Sequence, residues 1–130
     1  VFAMKVGSSA DQVMEDKMSI QLMFVDGSIG TIHYFANGSK DLAKERLEVF
    51  SDGRVLQLDN FKRLTGFGFK SFKKMSLLHQ DKGHSNEMKS FVRSIEEGTA
   101  SLIPFEDLKN VTLASFATME SAEQQKLVII

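Results

Sequence analysis

Two Asp-Gly pairs, Asp26-Gly27 and Asp52-Gly53, constrain the fold of this chain more than any other feature. Each pair lies between runs of apolar and β-branched residues. Asp-Gly in that setting is the strongest short-range signal for a β-hairpin, because a type I′ turn needs φ above zero at both central residues. The first half of the chain is therefore predicted to form antiparallel hairpins, and nothing in these hairpins has an evident catalytic motif.

The first hairpin is predicted from strands over residues 18–25 and 28–35. A two-residue loop would pair Phe24 with Ile29 and Leu22 with Thr31. This register places Ile20, Leu22 and Phe24 on one face. The opposite face would present Gln21, Met23, Ile32 and Tyr34. Both faces are too apolar to be simply solvated, so we expect both to be covered.

The second hairpin is predicted from strands over residues 46–51 and 54–58, with Leu47 opposite Leu58 and Val49 opposite Leu56. Further strand patterns cover residues 1–6 and 61–78, and the unbroken apolar run at 127–130 predicts a final buried strand. The expected fold class is α+β, with an open, mostly antiparallel sheet of about six strands and helices packed on one face.

Two helices are predicted in the second half of the chain. Over residues 85–97 the apolar side chains recur at helical spacing, with Ser85 as N-cap and Gly98 just past the end. Pro104 then opens the second helix, which runs to about residue 121. Its broad apolar face is expected to be buried and comprises Leu108, Val111, Leu113, Phe116 and Ala117.

Composition limits the class of protein. The 130 residues suit one domain, 1–130, and the net charge of −1 gives no reason to expect nucleic acid or an anionic membrane as partner. The chain has no cysteine and no apolar run long enough to span a bilayer. We therefore expect a cytoplasmic protein without disulfides. The opening Val1-Phe2-Ala3-Met4 already has a strand pattern, which favours a piece of a longer protein.

Three features suggest chemistry, and each has a plainer interpretation. The three histidines lack the short spacing of metal ligands. Asp81, His84 and Glu87 suit either acid–base work or the capping of a helix. The basic and aromatic segment 61–74 suits either single-stranded nucleic acid or a half-buried strand with a charged outer face. The plainer interpretation is preferred in each case, so no catalytic, cofactor-binding or metal-ligating residue is assigned.

Three stretches, in order, resemble the C-terminal domain of the glucose–fructose oxidoreductase, inositol dehydrogenase and MocA (Gfo/Idh/MocA) family. Residues 24–32, FVDGSIGTI, are similar to its F-x-x-G-x-x-G-x-I hairpin, and residues 45–53, ERLEVFSDG, to its E-x-x-E-V-F-x-x-G strand and turn. Residues 83–98, GHSNEMKSFVRSIEEG, resemble its G-H-x-x-E-[LM]-x-x-F-x-x-[AS]-I-x-x-G helix. The resemblance covers nearly the whole chain and is nearest to bacterial members.

The resemblance implies an oxidoreductase that uses NAD or NADP to act on a sugar or cyclitol. In that family an N-terminal Rossmann domain binds the cofactor, and the sheet domain supplies a wall of the substrate pocket and a subunit interface. This chain has no G-x-G-x-x-G and no Glu-Lys-Pro, so it is expected to be inactive alone. Its expected partners are that Rossmann domain and a second subunit. The residues expected to meet the second subunit through the open sheet face are Gln21, Met23, Ile32 and Tyr34.

Two other functions stay open. The chain could be a stand-alone module, without enzymatic activity, that binds a ligand or acts as a scaffold and shares only the layout of sheet and helices. A weaker alternative is single-stranded nucleic-acid binding through residues 62–74, which would depend steeply on salt.

Overall fold

The computed structural model describes residues 1–7 and 17–130. The described residues form an α+β fold, as predicted. The strands are β1 (Phe2–Lys5), β2 (Lys17–Met23), β3 (Ile29–Phe35), β4 (Arg46–Ser51), β5 (Arg54–Asp59), β6 (Arg63–Phe67) and β7 (Lys74–Ser76), and the helices are α1 (His84–Glu96) and α2 (Phe105–Gln124). In place of one sheet of six strands, these seven strands form a sheet of three and a sheet of four.

The chain divides into two compact units. Unit 1 comprises Val1–Gly38 and Ala100–Ile130, and unit 2 comprises Ser39–Thr99. Unit 1 contains the antiparallel sheet β1-β2-β3 with helix α2, and unit 2 contains the antiparallel sheet β4-β5-β6-β7 with helix α1. Each unit therefore has its own sheet and its own helix.

The register of the first hairpin differs by one residue from the prediction. Met23, and not Phe24, lies opposite Ile29, and Leu22 lies opposite Gly30. Because side chains alternate between faces, a slip of one residue moves every partner on one strand to the other face. The predicted combination of β2 and β3 residues on each face is therefore wrong, although Ile20 and Leu22 share a face as predicted.

The cause of the slip is the turn. The Gly27 N–H donates to the Phe24 carbonyl at 3.0 Å, and the Phe24 N–H donates to the Ser28 carbonyl at 2.9 Å. Asp26 Oδ1 accepts hydrogen bonds from the Ser28 N–H at 2.9 Å and the Ser28 hydroxyl at 2.7 Å. Gly27 alone has positive φ, 85°, while Asp26 is not left-handed. This is a type I turn followed by a bulged glycine, which is one residue longer than a type I′ turn.

The core of unit 1 lies where α2 packs against β1. Ala3, Met18 and Ala117 are its buried apolar residues, and Ser121 is fully buried. The predicted buried face of α2 is therefore wrong except at Ala117. The other four residues of that face are exposed: Leu108, Val111, Leu113 and Phe116.

The two ends of unit 1 meet at β1. The Val128 N–H donates to the Val1 carbonyl at 2.9 Å, and the Val1 amino group donates to the Val128 carbonyl at 2.7 Å. The rest of the C-terminal run is not a strand, and Ile129 is 87% exposed. The predicted final buried strand is therefore reduced to this single bridge.

In unit 2 the predicted hairpin is confirmed. Leu47 lies opposite Leu58 and Val49 opposite Leu56. At its turn, Asp52 and Gly53 have φ of 50° and 70°, as a type I′ turn requires. The predicted strand over 61–78 is divided into β6 and β7, because the chain leaves the strand at Gly68, where φ is 76°.

Both helices begin and end close to the predicted residues. Gly83, and not Ser85, precedes α1, and Gly98 follows it with a φ of 61°, as predicted. Pro104 directly precedes α2, also as predicted. No residue of α1 is buried, and the exposed fractions of its apolar stripe are 59% for Met88, 53% for Phe91, 47% for Val92 and 65% for Ile95.

Candidate functional site

The four residues predicted to form a subunit interface do not share a face of the sheet. Gln21 lies opposite Thr31 and Met23 opposite Ile29, whereas Ile32 lies opposite Ile20 and Tyr34 opposite Met18. Residues directly opposite one another point to the same side. Gln21 and Met23 are therefore on one face and Ile32 and Tyr34 on the other. The one-residue slip at the first turn is the physical reason.

The two faces differ in what covers them. One face includes the buried residues Ala3 and Met18, and we call it the inner face. The other face, called the open face, is mostly uncovered, with Met23 73% exposed and Ile29 76% exposed. The residues of the open face on the three strands are Phe2, Met4, Lys17, Ser19, Gln21, Met23, Ile29, Thr31, His33 and Phe35.

Polar groups lie at the middle of the open face. Thr31 Oγ1 donates to Gln21 Oε1 at 3.0 Å, and the rings of His33 and Phe35 stack with centroids 5.8 Å apart. Met23 and Ile29 lie next to the Gln21–Thr31 pair at one end of this face, and both are exposed. An exposed apolar patch beside a satisfied polar pair is a surface that can pack against a protein partner.

A hollow of about 500 Å³ lies in unit 2, beside the segment that precedes β4. Lys82 forms an ion pair with Glu45 and lies 5.8 Å from the centre of the Phe61 ring. Gln80 Nε2 donates to Asn60 Oδ1 at 2.9 Å. The hollow is lined by Lys40, Asp41, Leu42, Ala43, Lys44, Asn60, Gln80 and Lys82.

A second hollow of about 340 Å³ shares Ala43 and Asn60 with the first, and its basic residues are Lys62, Arg63 and Lys74. Arg63 is paired with Asp59 at 2.5 Å. Lysines outnumber carboxylates around both hollows, so an anionic ligand is the kind that they would attract.

The backbone between the two hollows is held in an unusual conformation. Asn60 and Phe61 are consecutive residues with φ of 50° and 51°. The Asn60 N–H donates to the Glu45 carbonyl at 2.7 Å, which helps to fix this turn. Non-glycine residues in the left-handed region cost roughly 1 kcal/mol or more each. The turn is also closed locally, since the Lys62 N–H donates to the Asp59 carbonyl at 3.0 Å. No sequence motif marks the Lys82–Glu45 pair, because its two residues are far apart in sequence.

The predicted capping by Asp81, His84 and Glu87 is found only in part: Glu87 lies in the first turn of α1, but among the described residues no side chain forms a capping hydrogen bond. Asp81 Oδ1 accepts the Gly83 N–H at 2.8 Å just before α1. Within the described part of the chain, no hydrogen bond joins the three side chains to one another. Over the same residues, no group of three or more His, Cys, Asp or Glu side chains could hold a metal ion.

Two of the four aromatic residues of segment 61–74 pack within unit 2, while Phe61 and Phe67 are exposed. Phe69 and Phe72 meet edge to face with ring centroids 6.3 Å apart, and the Arg54 guanidinium lies 5.8 Å from the centre of the Phe69 ring. Phe72 lies directly over Gly66, where a Cβ would come within 2.6 Å of its ring. These two rings are used inside the unit, which favours the half-buried strand over a nucleic-acid platform.

A polar network crosses the β4–β5 hairpin. Glu48 Oε1 accepts hydrogen bonds from Arg46 Nη2 and Gln57 Nε2, both at 2.6 Å. The hydrogen bonds from Arg46 and then Gln57 lower the pKa of Glu48 from its ordinary value. The charged form is thus favoured, which stabilises this hairpin above the ordinary pKa and is lost as the pH falls through the lowered one.

None of the helices in the described residues is long and apolar enough to cross a membrane. Comparison with known proteins identifies no relative: no family model, no curated protein and no solved structure matches the chain.

Proposed function

We propose that this chain is the substrate-side and oligomerisation domain of an oxidoreductase that uses NAD or NADP to act on a sugar or cyclitol in the cytoplasm. The proposal rests on the three motifs that resemble the Gfo/Idh/MocA family. In this role the chain contributes binding surfaces, while a Rossmann domain of the same protein holds the cofactor and the catalytic lysine.

The observation that carries this proposal is the amount of ordered apolar surface that each unit leaves uncovered. In unit 1 the open face exposes Met23 and Ile29 by 73% and 76%, and in unit 2 helix α1 exposes its whole apolar stripe. Monomeric soluble proteins rarely expose contiguous apolar patches beyond a few hundred Å². Surfaces of this kind suit a domain that is covered by other domains and by a second subunit.

We also propose which residues the subunit contact would use. Because the inner face is partly occupied at Ala3 and Met18, the open face is the one that we propose for the second subunit. Met23 is on this face, whereas Tyr34 is on the inner face. The proposed contact thus keeps Gln21 and Met23 and no longer includes Ile32 and Tyr34.

The first experiment is the mass of the native protein in its source cells, purified with an antibody against this domain. The proposal expects a species well above the 14.5 kDa of these residues. Its additional peptides should include a glycine-rich strand–turn–helix, and it should bind NADH or NADPH in a fluorescence titration. A native product no larger than the 130 residues that binds neither would contradict the proposal.

Substitutions on the two faces test the subunit contact in the same native protein. Met23→Glu is expected to weaken self-association measured by sedimentation, because it places a charge on the open face. Tyr34→Glu is the matched control, since Tyr34 is 54% exposed on the inner face. Equal effects of the two substitutions would contradict this assignment.

A second candidate function is a stand-alone module that binds a small anionic ligand. The 500 Å³ hollow favours it, because Lys40 and Lys44 line its wall with Asp41 as the one carboxylate among the lining residues, while the charge of Lys82 is paired with Glu45. A native product of the same size as this chain that binds inorganic phosphate, and loses that binding in Lys44→Gln, would support this candidate over the first.

A further inference from the structure

Helix α2 has two apolar sides, and only one of them is covered. Its small residues Ala114, Ala117, Thr118 and Ser121 recur at helical spacing and form the side that is buried or half-buried. At 100° per residue, a second stripe of larger side chains lies on the opposite side of the helix. This stripe, called the outer stripe, consists of Phe105, Leu108, Thr112, Phe116 and Met119.

The outer stripe is largely open to solvent. Phe105 is 73% exposed, Phe116 66% and Leu108 49%. The one polar member, Thr112, donates its hydroxyl to the Leu108 carbonyl at 2.8 Å. Its hydrogen bond is therefore already made inside the helix, and burial of Thr112 would leave no unpaired polar group. A helix with apolar residues on both sides is typical of an element between two packed layers.

The outer stripe is symmetric about its middle residue. Phe105 and Leu108 lie seven and four residues before Thr112, and Phe116 and Met119 lie four and seven residues after it. An antiparallel copy of the same helix would therefore place Phe105 against Met119, Leu108 against Phe116, and Thr112 against Thr112. Self-complementarity of this kind is what a two-fold symmetric interface requires.

The helix dipoles favour the antiparallel direction. A parallel pair would place the two positive N-terminal ends side by side, whereas an antiparallel pair places each end beside its opposite. Glu106 and Asp107 are in the first turn of α2 and lie off the outer stripe, so they do not oppose either direction.

We propose that the outer stripe of α2 is a second self-association surface, which binds an antiparallel α2 from another copy of this chain. The proposal goes beyond the oxidoreductase assignment and requires neither a cofactor domain nor the open face. The stripe is about 22 Å long and buries roughly 400 Å² per copy. The total of about 800 Å² is smaller than a standard interface of about 1,200 Å² or more, so the proposed dimer is a weak one.

The test separates this contact from the one proposed at the open face. The Met23→Glu chain, in which the open face is disrupted, is studied by sedimentation equilibrium from about 1 μM to 1 mM, a range chosen to span a weak dimer. A reversible dimer with twice the mass of the single chain is expected. If this chain stays monomeric throughout, the outer stripe is left to a different partner and the proposal is overturned.

A substitution in the same background identifies the surface. Phe116→Ser is expected to raise the dissociation constant at least about tenfold, since an aromatic residue near the centre of an interface contributes strongly. Phe50→Ser is the matched control, because Phe50 is 71% exposed on β4. Circular dichroism checks that both chains stay folded. Equal dissociation constants for the two variants would overturn the proposal.

Disulfide trapping tests the direction, because the chain has no cysteine of its own. Thr112→Cys is expected to form a cross-linked dimer on mild oxidation. Leu108→Cys alone is not, since its two copies are about 12 Å apart along the axis, beyond the roughly 7 Å that a disulfide spans. Leu108→Cys mixed with Phe116→Cys cross-links. Efficient cross-linking of Leu108→Cys to itself would overturn the antiparallel arrangement.

Discussion

At the scale of single residues, Ser121 joins three parts of unit 1 through one hydroxyl group. Its Oγ accepts the Ala3 N–H at 2.9 Å and donates to the Lys126 carbonyl at 2.5 Å. The side chain is fully buried. Ala3 is on β1 and Lys126 is just beyond α2. One hydroxyl group therefore provides the hydrogen-bond partner of an N–H at the edge of the sheet and of a carbonyl near the end of the helix.

Ser121→Ala is expected to destabilise unit 1 by about 1–3 kcal/mol, because the Ala3 N–H and the Lys126 carbonyl would both lose their partner in a buried place. Urea unfolding followed by circular dichroism measures this change. Ser115→Ala is the control, since the Ser115 hydroxyl is exposed and bonds only to the Thr112 carbonyl of its own helix. Similar losses for both variants would show that the bridging role is absent.

Little in the sequence indicates the role of Ser121. Its spacing from Ala114, Ala117 and Thr118 marks a stripe of small residues, but the larger apolar residues of α2 give the stronger signal. The larger apolar residues therefore predict the wrong buried side of α2. Hydrophobicity indicates that a side chain favours burial, but it does not indicate which neighbouring element covers that side chain. Small residues face β1 because the helix there lies close to the strand.

At the scale of elements, the two Asp-Gly turns show how far local sequence determines a hairpin. Asp52 takes a left-handed conformation beside Gly53, so the turn is type I′ and the register follows the prediction. Asp26 accepts two hydrogen bonds from Ser28 and does not take the left-handed conformation. The same dipeptide thus gives two turns, and the two differ in the residue after the glycine: Ser28 bonds to Asp26 in the first turn and Arg54 to Asp52 in the second.

Gly53, in the turn of the β4–β5 hairpin, and Gly68, directly after β6, allow a quantitative test. A Cβ at Gly68 would lie 2.5 Å from the Gly53 carbonyl oxygen, whereas a Cβ at Gly53 would meet nothing within 4 Å. Both have positive φ, 76° and 70°. Gly53→Ala should therefore cost only the left-handed backbone, about 1 kcal/mol, and Gly68→Ala about 1–3 kcal/mol more from the clash.

The two glycine variants are compared by thermal unfolding under identical conditions, and both lie in unit 2. Equal melting temperatures for Gly53→Ala and Gly68→Ala would mean that the close approach between Gly68 and the Gly53 carbonyl is absent in solution.

At the scale of the whole molecule, the sequence predicts elements better than it predicts their neighbours. Most strands and both helices lie close to their predicted bounds, since their signals are local periodicity and end residues. In both sheets each strand pairs with the next one along the chain, and the division into two sheets arises because β3 and β4 do not pair, which no local pattern specifies. The hollow beside β4 has no signal in the sequence, because Glu45, Asn60 and Lys82 come together only in the folded chain.

Hydrogen exchange should distinguish the two helices in the isolated chain. Helix α1 has 13 residues and no buried side chain, and an isolated helix of that length is marginal in water. The C-terminal half of α2 is anchored by Ala117, Thr118 and Ser121, which are buried. The amides of α1 are therefore expected to exchange much faster than those at positions 117–124, measured by mass spectrometry of peptides from the two helices.

The same measurement on the native protein shows whether a partner covers α1. If the native product contains further domains that pack on the stripe of Met88, Phe91, Val92 and Ile95, the α1 amides should become protected there while positions 117–124 change little. Fast exchange of the α1 amides in both forms would mean that the stripe stays uncovered in the native protein, which would contradict the proposed role of α1. Slow exchange of the α1 amides in the isolated chain at low concentration would contradict the finding that α1 is exposed.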